Sequence, residues 1–331
     1  MLELISFPWE ASALQEYSTL TEVEQSVAAL GCDGLELVWG GETLPDTLPC
    51  AGRLGYHLTF YPDWLDFWRG DESRLLQKFG SRRTYTEFYG GESGQRLLDL
   101  YEQDLRRAAA AGSRYVVFHV SDISVEEGFT YHWLHTDEEV IDASAQILNL
   151  LWQRGPWPFP VLVENQWWPG FTFTEPDLTR RLLEQIQWPD KGIMLDTGHL
   201  MNTCPDLRSQ QEGADYILRC LRRHGDLAGA VRGVHLHQSL SGEYVKRHTG
   251  FLPPELPADY LQRFAVSYRH ILQIDRHQSW TDPAAARLLQ EIRPEFLTHE
   301  LSAENRYQRE TAVRRQKEIL NKGGYHLGTE T

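Results

Sequence analysis

The sequence predicts an α/β protein built as one (β/α)8 TIM barrel, and three observations carry that expectation. Eight segments rich in apolar and β-branched residues alternate with helical patterns along the chain. No Pro/Gly/Ser-rich linker divides the 331 residues, a length that one such barrel fills. Ionisable residues stand at the C-terminal end of nearly every apolar segment, where a barrel keeps its chemistry; a doubly wound open sheet, the competing architecture, would gather them at its switch point.

In order, residues 2–7 form the first expected strand. A helix follows over 21–31, with Val23, Val27 and Leu30 on one face and Gly31 as its stop. The second and third strands fall at 34–39 and 55–61; the connection between them holds a Gly-Gly pair and two prolines, so its helix is short or missing. Residues 62–92 are polar and aromatic and are expected to be a long loop, a lid or a binding loop. A helix over 95–112 leads to the fourth strand at 115–120, and one over 137–153 to the fifth at 159–165. A helix over 176–187, with proline at a favoured early position, leads to the sixth strand at 192–196. A helix over 206–224 precedes the seventh strand at 231–237. A long insert over 238–280 and a helix over 283–292 separate that strand from the eighth, 296–300, and a helix over 303–320 closes the chain. The barrel domain is thus expected over 1–320, with long loops after strands three and seven and a frayed tail over 321–331.

Composition narrows the function. Hydrophobic residues make up 41% and charged residues 24%, enough apolar chain for a sizeable core. No run of eighteen apolar residues is present and the N-terminus lacks a basic region followed by an apolar stretch, so a cytoplasmic protein without a membrane span is expected. Cys32, Cys50, Cys204 and Cys220 are scattered with no CxxC pair, the pattern of reduced thiols. The formal net charge of −15 argues against a nucleic-acid partner, which needs a basic face, and towards a small substrate or a cation. No phosphate-binding glycine loop and no GxSxG turn occurs.

Alternation along strands places the chemistry. His57, His119, Glu164, Asp196, His235 and Glu300 each share a face with strand residues opposite an all-apolar face, so they point into the barrel near its C-terminal rim. Buried charges need partners, and carboxylates interleaved with imidazoles are readily satisfied by a divalent cation. Glu164, Asp196, His235 and Glu300 form an oxygen-rich set suited to Mn²⁺, Mg²⁺ or Co²⁺ and, with further histidines, Zn²⁺. The competing account is a network of ion pairs and neutral histidines without metal, in which His237 is expected to belong. Glu36, on the inward face of strand two, is expected to support a ligand rather than be one.

Val-Leu-Val-Glu164-Asn, Leu-Asp196-Thr-Gly-His199, Val-His235-Leu-His-Gln-Ser and Leu-Thr-His-Glu300-Leu, in that order, resemble the xylose isomerase-like barrel superfamily, which includes ketose 3-epimerases, sugar isomerases and zinc-dependent abasic-site endonucleases. The resemblance runs from Leu2 to about Leu320. It implies that Glu164, Asp196, His235 and Glu300 are the shared metal quartet. For the endonuclease branch it implies His57 and His119 on a first zinc bridged by Glu164, and His199 on a third. That branch completes the third zinc with an Asp-Arg-His triplet after strand seven. Here Lys246-Arg247-His248 is taken as the equivalent, an ammonium replacing the carboxylate, so loss of the third zinc is expected. For the isomerase branch it implies that Glu164 and Glu300 exchange a proton beside a metal-bound carbonyl while His199 orients a substrate oxygen. The arginine that 3-epimerases carry after the strand-seven histidine is absent, leaving Lys246 or Arg247 to substitute.

The expected activity is therefore metal-dependent isomerisation or epimerisation of a sugar or related polyhydroxy carbonyl compound. The alternatives are an abasic-site endonuclease-like phosphodiesterase and a barrel that binds a ligand without turnover. Substrate contacts are expected from His57, Trp167, Trp168, Lys246, Arg247 and His248, with His57 and His119 as a possible second metal site. A homo-oligomer is left open. Tyr61, Trp64, Phe67, Trp68, Tyr131, Trp133, Trp167, Trp168, Phe171 and Trp280 follow strand ends and are expected around the pocket mouth, where rings stack on sugar C–H faces. Arg69, Arg74, Arg82 and Arg83 offer a grip for an anion, or a solvated face.

Overall fold

A computed structural model describes residues 1–326. Eight parallel strands close into a barrel in sequence order: β1 (Leu2–Trp9), β2 (Gly34–Trp39), β3 (Leu54–His57), β4 (Val116–His119), β5 (Val161–Glu164), β6 (Lys191–Asp196), β7 (Val231–His235) and β8 (Phe296–His299), with β8 pairing back onto β1. Inside the barrel Leu4, Tyr115, Val117, Leu162, Met194 and Phe296 form an apolar plug. Outside it, the strand faces carrying Val116, Phe118, Val161, Val163, Ile193 and Leu195 pack on the helices. The helix Asp137–Gln153 shows why these segments are helical. Thr136 and Glu139 form a reciprocal capping box, and Val140, Ile141, Ser144, Ile147, Leu148 and Leu151 recur at helical spacing on the buried face. Truncating one of them, such as Leu148→Ala, costs about 2–5 kcal/mol.

Strands three, four, five, seven and eight stop short of the expected ends; past His57 and His235 one further ladder bond forms, from the Leu58 N–H to Val117 and from the Leu236 N–H to Thr298, before the backbone turns into the rim. The expected loop over 62–92 is instead three short helices, Leu65–Arg69, Glu72–Phe79 and Arg82–Tyr89. Asp71 and Ser81 cap the second and third, and Gly80 and Gly90 end them in the left-handed conformation. The insert after β7 holds two further helices, Gly242–His248 and Tyr260–Ile274, and a short helix Val125–Thr130 follows β4. Rings join the two inserts: Phe79 lies 4.0 Å from Tyr260 and Phe88 lies 5.4 Å from Phe264. The last helix runs to Lys322, so the expected tail begins later than residue 321, and its residues 327–331 lie outside the described residues. Among the described residues no helix is long and apolar enough to cross a membrane. All four cysteines are free thiols.

Candidate metal centre

Strand ends set the geometry. β3 to β7 terminate at His57, His119, Glu164, Asp196 and His235, and Glu300 follows directly on β8. The register places His119 beside Glu164 and Asp196 beside His235. These side chains point inward and meet in two sets, and His199, His237, Asp275 and His277 form a third; within each set the ligating atoms lie within 4.8 Å of one another.

The first set is a near-equilateral triangle. His57 Nε2 lies 3.0 Å from His119 Nε2 and 3.2 Å from Glu164 Oε2, and His119 Nε2 lies 3.0 Å from Glu164 Oε2. Ligands about 2.0 Å from a tetrahedral cation stand about 3.3 Å apart, so the triangle has the size of one face of such a site. The second set uses the other oxygen of Glu164: His235 Nδ1 is 3.2 Å from Glu164 Oε1, 3.1 Å from Glu300 Oε2 and 3.8 Å from Asp196 Oδ2. The third brings His199 Nε2 and His277 Nε2 to 3.1 Å and 2.6 Å from Asp275 Oδ2. His237 joins this set; its ring stacks on His277 at 4.0 Å, and its Nε2 lies 2.8 Å from Asp196 Oδ2.

The supporting contacts fix which nitrogen faces each set. Glu36 Oε2 accepts from His235 Nε2 at 3.1 Å, so Nδ1 turns its lone pair to the second set. Tyr115 and Thr298 donate to the same oxygen of Glu36, at 2.5 and 3.1 Å. The Asn165 carbonyl, which can only accept, lies 3.0 Å from His199 Nδ1 and leaves Nε2 free towards Asp275. In the Asp196-Thr-Gly-His199 turn, Asp196 accepts from the His199 N–H at 2.6 Å, and Thr197 Oγ1 donates to the His237 carbonyl at 2.6 Å. A Cβ on Gly198 would overlap the His237 imidazole, so only glycine fits this turn.

The donor chemistry suits a cation. Four carboxylates and six imidazoles converge, and among the described residues no lysine or arginine pairs with any of these carboxylates. Burial works to raise the Glu164 carboxyl, but the imidazoles of His119 and His235 hold it well below the usual range. Burial likewise opposes charge on His277, yet Asp275 and Glu300 push it up to about 9. Both shifts mark carboxylates that favour positive charge beside them. The Glu300 Oε2 atom is buried without a hydrogen bond, which also fits the second set to a cation rather than to a closed polar network.

A cavity of about 500 Å³ opens above the sets, its floor formed by His57, His119, His199, Asp275, His277 and Glu300. Trp167 and Trp168 line it, as does Phe60. Lys246, Arg247 and His248 depart from expectation. They lie on the helix Gly242–His248 and do not line the cavity; Lys246 pairs with Asp206, Arg247 with Glu243, and His248 stacks on Tyr244. The Asp-Arg-His triplet sought there is instead Asp275-Arg276-His277, after the helix Tyr260–Ile274. Hydrogen bonds between Gln238 and Gln278, at 2.8 and 3.2 Å, close the insert on itself and return the triplet to β7. The expected loss of a third ligand set is therefore overturned. Of the rim aromatics, Trp64, Phe67, Phe171 and Trp280 are buried in the loop core rather than facing the pocket. Arg69, Arg74, Arg82 and Arg83 form surface pairs with Glu139, Asp71, Glu72 and Glu87 and do not line the cavity.

The sequence profile of the xylose isomerase-like TIM barrel family matches residues 25–254, and the chain belongs to that family. No curated protein sequence matches it. Among solved structures it resembles an endonuclease IV from Thermus thermophilus, with a TM-score of 0.55 and 13% identity over 97% of this chain and 100% of that one. An L-ribulose 3-epimerase gives 0.50 and 12% over 97% and 94%, and a D-tagatose 3-epimerase-like protein 0.50 and 13% over 98% of each chain. At these identities the likeness is one of fold, shared by epimerases and an endonuclease alike.

Proposed function

We propose that the protein is a divalent-metal-dependent hydrolase of phosphoester bonds, with the three sets above as a multinuclear centre. The observation that carries this reading is the third set, His199, Asp275 and His277, joined to two sets that share Glu164. Proton exchange beside one metal-bound carbonyl needs only the quartet. Several cations grouped around one carboxylate suit displacement at phosphorus, where charge develops on both the entering and the leaving oxygen. His57, His119 and Glu164 would hold one cation, Glu164, Asp196, His235 and Glu300 a second, and His199, Asp275 and His277 a third. When bound, such ions supply Lewis-acid charge to phosphoryl oxygens and lower the pKa of water.

The chain's own residues complete the reaction. Glu36 and His237 orient His235 and Asp196, and the cavity limits access of bulk water. Glu300 would hold the second cation through Oε2, and since the side chain also lines the cavity, its other carboxylate oxygen is the one to take a proton from attacking water. The water oxygen forms the new P–O bond, the ester P–O bond breaks, and the proton ends on the leaving alcohol.

Isomerisation or epimerisation of a small polyhydroxy carbonyl compound is the second reading, favoured by Glu164 and Glu300 both lying within 3.2 Å of His235 Nδ1. Elemental analysis with parallel assays separates the two. The hydrolase reading expects two or three zinc or manganese ions per chain and turnover of 4-nitrophenyl phosphoesters. One ion per chain, with deuterium entering a ketose or aldose from heavy water and no phosphoester turnover, overturns it.

A further inference from the structure

We propose that the cavity selects small phosphoesters of an apolar or aromatic alcohol and excludes polynucleotide strands; the phosphoester part rests on the hydrolase reading above. Among the described residues not one lysine or arginine lines the cavity, whereas a site that follows a nucleic-acid backbone gathers cations along it. The formal charge of −15 deepens that mismatch.

What lines the space above the ligating residues is apolar. Trp167 and Trp168 pack with ring centroids 4.2 Å apart, and the Phe60 ring lies 4.3 Å from that of His119, so the apolar wall begins at the first set. Ile271 packs against the Trp167–Trp168 cluster and, with Tyr268 and Leu272, continues the wall; Ile271 and Leu272 lie in the final turn of the helix that delivers Asp275. Phe60, Tyr268 and Leu272 are 43%, 53% and 46% exposed. Large apolar side chains exposed singly need no explanation, but these converge on one cavity whose floor is charged, and such convergence marks a binding surface. The wall is braced, since ring contacts tie its helix to the insert after β3. The polar side chains of the wall, such as Thr59, Ser124 and Ser267, are outnumbered by apolar and aromatic ones. An anionic head on the sets with an apolar body among these rings satisfies both halves of the cavity.

The test compares 2-naphthylmethylphosphonate with methylphosphonate by calorimetry on the zinc-loaded protein. The naphthyl compound is expected to bind about a hundredfold more tightly. Phe60→Ala and Leu272→Ser, at half-exposed positions that folding tolerates, are each expected to lower that ratio about tenfold. A ratio near one, a ratio unmoved by both variants, or tighter binding of a single-stranded dodecanucleotide overturns the proposal. The 4-nitrophenyl assay keeps the two readings apart. Phosphoester turnover with a ratio near one removes the apolar selectivity and leaves the hydrolase. A high ratio without turnover removes the hydrolase and leaves the selectivity.

Discussion

Two buried nests of charge lie at the rim of this barrel, and they are balanced in different ways. In the insert after β3, Lys78 Nζ lies 2.7 Å from both Asp63 and Asp66, and His135 Nε2 lies 3.1 Å from Asp66. Asp122 accepts from the backbone of Trp64 and Leu65 at 2.8 and 2.9 Å. A cation is thus built into the chain, as it is where Lys317 sits 2.6 Å from Glu3 beside Cys32 and His299. Around Glu164 carboxylates converge with imidazoles alone. Carboxylates buried with a lysine make structure; carboxylates buried with histidines that have lone pairs to spare make a place for an ion from solution.

Removing the shared carboxylate should break the second nest most completely. Glu164→Gln takes a ligand from two sets at once, so loss of both ions by elemental analysis and a fall of about 10³-fold or more in phosphoester turnover are expected. Retention of full metal content would mean that Glu164 is not a ligand. In the first nest the corresponding deletion is Lys78→Met. It leaves buried carboxylates facing one another and should cost about 3–5 kcal/mol in urea denaturation, with metal content unchanged in the fraction that remains folded. Metal loss there would erase the distinction between the nests.

The fold and part of the site were legible because alternation along a strand is a strong signal. Glu164, Asp196, His235 and Glu300 end or follow four apolar runs, and the structure brings them together. The second and third helices between Leu65 and Tyr89 were written in Asp71…Gly80 and Ser81…Gly90, a cap and a left-handed stop for each, but aromatic and polar residues masked the period. Asp275 and His277 were missed for a different reason. Their place depends on a helix folding back and on the Gln238–Gln278 bridge, contacts that no local pattern encodes. The nearer Lys246-Arg247-His248 shares two of the three letters and drew the assignment, while Asp275-Arg276-His277 stands further along the same insert. Nor does sequence distinguish an aromatic that faces the cavity, such as Trp167, from one that packs a loop, such as Trp64.

Glu36 tests how far the metal nest depends on what surrounds it. Glu36→Gln leaves every proposed ligand in place and removes the charge that holds His235 Nε2–H. Metal affinity is expected to fall about 10–100-fold, read by competition with a chromophoric chelator, while the folded state persists. An unchanged affinity would assign Glu36 to barrel packing through Tyr115 and Thr298 alone.

The smallest effect concerns the nest that carries its own cation. Burial opposes charge on His135, but Asp66 and Asp122 raise its pKa above the usual imidazole value, and with His135 and Lys78 beside it the buried Asp66 carboxyl is drawn down to about 2. The sign then follows from linkage. A histidine raised in the folded state stabilises fully below pH about 6.5, and that contribution is lost as pH rises through the higher folded value. Asp66 stays ionised across this window and adds no slope of its own. Burial pushes the Asp63 carboxyl up to about 7, so its contribution is lost over the lower part of the same window with the same sign. Amide exchange over the helices from Leu65 to Tyr89 should therefore accelerate modestly, beyond the intrinsic rate, between pH 6 and pH 9, and His135→Gln should reduce the change, most of all above pH 7. Lys78 remains charged throughout, because Asp63 and its neighbouring carboxylates lift it against burial, so the insert is expected to loosen rather than detach. Detachment at high pH would mean that the imidazole, not the ammonium, holds these acids together.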